Sequence, residues 1–488
     1  MKFNSGGKML HFGKIAGNLP LLARSAPRFR PIFLLRVAVA SYAFVMCTAV
    51  QAESIFGALS HAYGSNPDLN SQRAAVRAQD EEIPRTSAGY RPRVTATADV
   101  GLTNLNTKPG PEAGFVNFNT VPRGYGVSVT QTLFNGNRTG NSVTQAESKI
   151  LGARETMRNT EQTVLSDGAT FYMNVLRDTA ILDLNKNNIT VLEEQLRQTN
   201  DRFKVGEVTR TDVAQSQANL AKAQTDYFTA RSNLQTSVAN FRQVIGVEPK
   251  RLDPAKPLDR LIPKSLNQAI GISQVEHPAI QALLHGVDAA QVQVKLVEGE
   301  LYPTVGVTGS FTHRWDSTAQ TPGSQSNTTS IVGQISIPIY EGGEVYARTR
   351  QAKETLGQQR LQTDLQRDKV RAAVVSSWGL VENAKATIQS TQVAVRAAEV
   401  ALNGVREEAK VGQRTTLDVL NAQQLLVNAR VALVTAQRDR VVNSYLLVSA
   451  IGRLSAVNLG LQVTRYDPGV HLDQVKDKWF GLRTPDGR

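Results

Sequence analysis

Apolar and polar residues alternate one by one in four short stretches of this chain and recur every seven residues through four long ones. Val94, Ala96, Ala98, Val100 and Leu102 alternate with Thr95, Thr97, Asp99, Gly101 and Thr103. Tyr125, Val127, Val129, Gln131 and Leu133 do the same against Gly126, Ser128, Thr130 and Thr132. Ile331, Gly333, Ile335, Ile337 and Ile339 alternate with Val332, Gln334, Ser336 and Pro338, and residues 303–315 follow the pattern more weakly. Period two predicts strands over about 91–104, 124–135, 303–315 and 330–340. One apolar face and one polar face over about ten residues suits an outer-membrane barrel strand, and a soluble sandwich strand carries the same signature.

The seven-residue spacing predicts helices over about 137–203, 208–246, 343–409 and 414–451. Val175, Leu182, Ile189, Leu196 and Phe203 form one stripe; Val381, Ile388, Val395, Leu402 and Ala409 form its counterpart. Val213, Leu220, Tyr227, Leu234 and Phe241 continue the first, while Val419, Leu426, Leu433 and Leu447 continue the second, with a break at Arg440. No proline falls between Gly136 and Phe203, and at about 1.5 Å per residue such a helix approaches 100 Å.

These elements come in two copies. KVGEVTRTDVA begins at Lys204 and KVGQRTTLDVL at Lys410, an offset of 206 that pairs Asp212 with Asp418 and Ile245-Gly246 with Ile451-Gly452. Further upstream an offset of 211 pairs Asn66-Pro67 with His277-Pro278 and Arg91-Pro92 with Tyr302-Pro303. The repeats are 53–250 and 265–455, each a short helix, two strands and two long helices, joined by a linker over 251–264. The loops inside the strand pairs, TNLNTKPGPEAGFVNFNTVPRG and DSTAQTPGSQSNTTS, have solvent-exposed composition. Phe115, Phe118, Tyr125, Phe311, Trp315 and Tyr340 lie near strand ends, where an interfacial aromatic girdle or ordinary packing would place them. Four strands do not close a barrel, and open edges are not tolerated in lipid, so membrane-spanning strands here require several chains.

Each KVG segment sits where one heptad run ends and the next begins, which makes it a helix–turn–helix tip. Gly206 and Gly412 supply the left-handed conformation that closes a helix, and Thr211 and Thr415 are the candidates to start the next one.

Composition removes other classes. The net charge of +13 looks like a nucleic-acid signal, yet seven of the basic residues fall within residues 1–52, which hold no acid. That stretch has a basic start, an apolar run from Val37 to Val50 and small residues up to Ala52, as a cleaved secretory signal peptide has. Its removal leaves +6, interspersed with acids, so nucleic acid is not a predicted partner. The single cysteine, Cys47, lies in the leader behind a poor lipoprotein signal. The six histidines are scattered, no phosphate-binding, dinucleotide or zinc-protease motif occurs, and neither catalysis, metal nor cofactor is expected.

The leader, the duplicated strand-strand-helix-helix unit and the KVGQRTTLDVLNAQ tip together resemble the TolC family of outer-membrane channel proteins over essentially the whole mature chain. The resemblance implies an α+β membrane protein in which four strands per chain contribute to a trimeric 12-stranded outer-membrane β-barrel, continued by a periplasmic α-helical coiled-coil barrel. Residues 456–488 would be a C-terminal equatorial segment or tail. It implies outer-membrane lipid, a homotrimer, a periplasmic adaptor and an inner-membrane ABC or proton-driven pump as partners, in protein secretion or efflux. The gate maps to Asp418, with Asn421 where a second acid can occur; the closing latch maps to Asp212 and Arg414, with its tyrosine partner replaced by Ala409. Adaptor docking maps to Lys204, Val205 and Gly206 and to Lys410, Val411 and Gly412. The competing class is a periplasmic coiled-coil adaptor or scaffold without its own barrel.

Overall fold

Each half of the chain opens with two helices that meet at a shared cap. Asn66 Oδ1 accepts from the amides of Asp68 (2.9 Å) and Leu69 (3.2 Å), and His277 Nδ1 accepts from the amide of Ala279 (3.2 Å). Pro67 and Pro278 follow at the first helical position, where a missing N–H costs nothing. The computed structural model describes residues 53–318, 321 and 323–487; the expected signal peptide and Cys47 lie outside them.

The first half contains α1 (Ile55–Ser65), α2 (Pro67–Asp80), α3 (Glu82–Ser87), β1 (Arg93–Val100), β2 (Thr103–Thr107), β3 (Val116–Thr120), β4 (Arg123–Asn135), α4 (Arg138–Lys204) and α5 (Arg210–Ile245). The second contains α6 (Leu266–Glu276), α7 (Pro278–Glu298), β5 (Thr304–Trp315), β6 (Gln325–Ser336), α8 (Glu344–Lys410) and α9 (Thr416–Ile451), followed by α10 (Ala456–Leu459) and α11 (Pro468–Val475). The copies differ where α7 runs unbroken and its counterpart splits into α2 and α3. Pro84 explains the split, because it has no N–H to offer the Asp80 carbonyl.

The main sheet is antiparallel in the order β1-β4-β5-β6, with both edges unpaired among the described residues. Its register sorts the faces. Val94 pairs with Val129, Val129 with Gly309 and Gly309 with Ile331, which carries an apolar row across all four strands. The adjacent row, Thr95, Ser128, Ser310 and Ser330, faces the other way and bonds to itself, Thr95 to Ser128 at 2.6 Å and Ser310 to Ser330 at 2.9 Å. On that polar face Arg314 reaches Asp99 at 2.9 and 3.0 Å across Gly124, where a Cβ would come within 2.8 Å of the His313 carbonyl. The apolar face is solvent-accessible, Ile331 to 81%.

Three predicted boundaries need correction. The strand expected over 91–104 ends at Val100, and the following loop holds a second hairpin, in which β2 pairs with β3 through Leu105 and Phe118. Gly101 donates to the Pro122 carbonyl at 2.8 Å and pinches the two ladders apart. The strand expected over 330–340 runs from Gln325 to Ser336, because Thr304 is the last residue β5 offers and Pro338 has no N–H for a ladder. Its first residues, Gln-Ser-Asn-Thr-Thr, are polar on both faces, so alternation could not reveal them.

The helices pack as two hairpins, α4 with α5 and α8 with α9. Nearer the sheet α7 lies between α4 and α8, held by Gln145 to the Ala289 carbonyl (3.2 Å) and by Lys353 to Glu298 (3.1 Å). Nearer the tips α9 takes that place. Val381, Leu402, Val419, Leu426 and Leu447 of the second stripe are buried, while Leu182, Ile189 and Leu196 of the first are half-buried and Phe203 is exposed. Arg440, the heptad break, is buried and ion-paired to Asp259 of the linker. Among the described residues no helix is long and apolar enough to cross a membrane.

Midway along the helices a core of α1, α4, α5 and α9 draws in both the start of the described chain and the linker. The Tyr172 hydroxyl lies 2.7 Å from the carbonyls of Glu53 and of Asp253, beside a parallel bridge between Glu53 and Leu252. The C-terminal α11 docks on α2 through His471, 3.1 Å from the fully buried Asp80 carboxylate, which also faces Arg154 at 3.8 Å.

Candidate gate at the hairpin tips

Both tips use the same backbone device. After α4 the amide of Gly206 donates to the Phe203 carbonyl (3.0 Å) and that of Glu207 to Arg202 (2.9 Å). After α8 the amide of Gly412 donates to Ala409 (3.2 Å) and that of Gln413 to Glu408 (2.9 Å). These bonds form a Schellman closure, with φ at +82° for Gly206 and +80° for Gly412. A Cβ at either glycine would meet nothing within 4 Å, so both turns face open space. Val205 and Val411 are 71% and 70% exposed beside them.

The next helix starts with a capping box at both tips. Asp212 Oδ2 accepts from the Thr209 amide (2.9 Å) and hydroxyl (2.7 Å), and Asp418 Oδ2 from the Thr415 amide (3.0 Å) and hydroxyl (2.8 Å). The cap of the first tip is therefore Thr209; Thr211, the residue expected from sequence, lies inside the helix. Thr209 stands 206 positions before Thr415, so the repeat offset carries this signal. The Thr209 hydroxyl and then its amide hold the Asp212 carboxyl below the usual carboxylate range. For Asp418 the Thr415 amide is the larger cause, then its hydroxyl, with a smaller contribution from Arg414. Asn421 is exposed one turn on.

Arg414 and Asp212 do not form an ion pair within the chain among the described residues. Arg414 Nε bonds Glu408 at 2.8 Å, while Asp212 serves its cap. The first tip has the matching pair with its signs exchanged: Arg202, at the position of Glu408, bonds Glu207 of the turn at 3.0 Å. Lys204 bonds Asp201 (2.9 Å) and Lys410 bonds Glu407 (2.7 Å), the same contact in both copies.

The bond that does join the hairpins near the tips was not foreseen. Gln423 Nε2 donates to Asn188 Oδ1 at 3.1 Å, and Arg406 Nη2 donates to Gln423 Oε1 at 3.0 Å, tying α8, α9 and α4 together. Asn188 and Gln423 are buried polar residues one position away from Ile189 and three from Leu426 of the apolar stripes, and that was the available signal. Beside this bridge runs a polar groove between α4 and α8, lined by Glu194, Arg202, Arg406, Glu407 and Lys410.

The sequence profile of the outer membrane efflux protein family matches residues 58–247 and 269–453, one segment in each repeat. The chain belongs to the outer membrane efflux protein family. It is 44% identical over 440 residues to the outer membrane efflux protein BepC of Brucella suis, covering 90% of this chain and 94% of that protein. It is 27% identical over 430 residues to the outer membrane protein TolC of Escherichia coli, covering 84% of each. The Campylobacter jejuni CmeC outer membrane channel shares its fold, with a TM-score of 0.74 at 16% identity over 87% of this chain and 89% of that one. As a member of the efflux protein family, the chain is an outer-membrane channel-tunnel for efflux or secretion, its strands in the outer membrane and its helices in the periplasm. Membership sets aside the competing adaptor class.

Proposed function

We propose that three copies close a 12-stranded barrel and a helical tunnel whose tips form a periplasmic gate, a conduit rather than a catalyst. The supporting observation is the sheet itself, apolar on one face and unpaired at β1 and β6. Each free edge strand would leave backbone groups unsatisfied in lipid, whereas β1 against a neighbour's β6 satisfies both. The half-buried stripe of α4 and α5 would pack against a neighbouring chain in the same assembly. The mass of the detergent-extracted protein tests the reading: a trimer is expected, and a folded, lipid-inserted monomer overturns it.

At the gate, Asp418 and Asn421 from each copy would ring the narrow end, where carboxylates within low-dielectric walls concentrate cations. Asp212 and Arg414 serve as the closing latch between adjacent copies, which requires Arg414 to exchange Glu408 for that partner. Adaptor helices would lodge at Lys204-Val205-Gly206 and Lys410-Val411-Gly412, where the glycines face open space and the valines are uncovered. An inner-membrane ABC or proton-driven pump then delivers the substrate. Single-channel recordings test the gate: Asp418→Asn is expected to lower cation selectivity, and unchanged selectivity would remove Asp418 from the ring.

A further inference from the structure

Between Lys478 and Asp486 the chain makes a loop tied at both ends. Arg91 Nη1 donates to the Lys478 carbonyl at 2.9 Å, and its guanidinium lies 4.6 Å from the Trp479 ring centre. Lys478 Nζ donates to the Arg483 carbonyl at 2.6 Å, and Asp486 meets Arg77 at 3.8 Å. A loop held this way has surrendered conformational freedom. Yet its three large apolar side chains are turned out: Trp479, Phe480 and Leu482 are 65%, 89% and 103% exposed. Contiguous exposed apolar groups mark a contact surface.

The position of the loop indicates what covers it. Arg91 stands two residues before β1, at the end of the sheet from which α4 departs. The 12 residues of β5, at about 3.3 Å each and tilted ~40°, span about 30 Å, against an apolar band of about 25 Å in outer-membrane barrels. The loop therefore lies at headgroup height on the periplasmic side. Phe134, Tyr302, Ile339 and Tyr340 are exposed at the same end of the sheet, so the loop extends an existing apolar rim. Aromatic side chains with a polar edge favour that depth, and Arg483 adds a cation beside Leu482.

We propose that residues 478–486 form a second membrane contact, in which Trp479, Phe480 and Leu482 enter the phospholipid leaflet on the periplasmic side of the outer membrane. The loop would thereby brace the base of edge strand β1 through Arg91. This inference rests on the barrel being in the outer membrane, and the test separates the two.

The chain has three tryptophans, so a variant with Trp315→Phe and Trp378→Phe reports on Trp479 alone, and one with Trp378→Phe and Trp479→Phe reports on Trp315 in β5. Full-length protein is reconstituted in phosphatidylethanolamine–phosphatidylglycerol vesicles doped with lipid brominated near the headgroup or deep in the chain. Shallow bromine is expected to quench about half of the Trp479 emission and deep bromine clearly less, with aqueous iodide access reduced relative to free tryptophan. If Trp315 is quenched by bromolipid while Trp479 remains open to iodide, the loop inference falls and the barrel stands. Protection of Trp479 only on adding an adaptor protein overturns it too. A Phe480→Cys probe in a Cys47→Ser background, labelled with an environment-sensitive dye, gives the same readout without touching a tryptophan.

Discussion

The Asp418 carboxylate accepts from the Thr415 amide at 3.0 Å and from the Thr415 hydroxyl at 2.8 Å, so the proposed gate carboxylate also caps the start of α9. Charge and cap are separable. Asp418→Asn keeps an acceptor for the Thr415 groups and should change selectivity while leaving tip hydrogen exchange nearly unaltered. Thr415→Ala keeps the charge and loses the cap, which typically costs about 1 kcal/mol, read as roughly fivefold faster exchange of the first amides of α9.

The depressed Asp212 and Asp418 carboxyls set a pH window. A folded-state pKa below the unfolded one stabilises above the unfolded value, about 3.9 for aspartate, and that contribution is lost as pH falls through the lower folded value. Exchange protection at both tips, corrected for the intrinsic rate, is expected to stay level from pH 7 to about 4 and to fall only below. A fall centred near pH 6 would contradict the capping geometry.

Gly412 faces open space at φ +80°, so bulk and backbone strain can be told apart there. Gly412→Asn, which tolerates the left-handed region, should retain export; Gly412→Trp should abolish it while assembly survives. Equal loss in both variants would assign the defect to the turn rather than to docking.

Gln423→Leu removes the buried bond from α9 to Asn188 and leaves that amide without its partner. Leaving one buried partner unsatisfied costs about 1–3 kcal/mol. The expected readout is longer open dwell times in single-channel recordings. Dwell times equal to those of the unmodified protein would show that the bridge plays no part in closure.

Arg440 and Asp259 lend themselves to a double-mutant cycle. Asp259→Ala takes the partner from a buried guanidinium, a loss of about 1–3 kcal/mol, whereas Arg440→Leu with Asp259→Ala should restore most of it. Leu234 already occupies the matching position in the first repeat, so the heptad accepts the change. Thermal unfolding and protease cutting within the linker report both arms.

The repeat, the long helices and the alternating strands could be read in the sequence because each carries one periodic apolar face. What escaped has no period. The Thr-rich start of β6 is polar on both faces, and the β2–β3 hairpin has the composition of a loop. The glycine of each tip was recognisable, but the choice between Thr209 and Thr211 as cap needed either the backbone or closer use of the offset. Arg440 announced itself as a missing leucine, yet its partner Asp259 lies 181 positions away. Nothing in the run Lys478–Asp486 foretold that Arg91 and Arg77 hold it against the base of the sheet.

The exchanged ion pairs at the tips have a consequence for how a ring of such chains is perceived from below. By backbone alone the two tips are interchangeable, and a partner would find every seat around the circle alike. The turn of one offers Glu207 and that of the other Arg414 at nearly the same place. If a partner docks at these tips as proposed, the ring would alternate between two kinds of seat, and a partner that senses sign would settle in only one of two rotational phases.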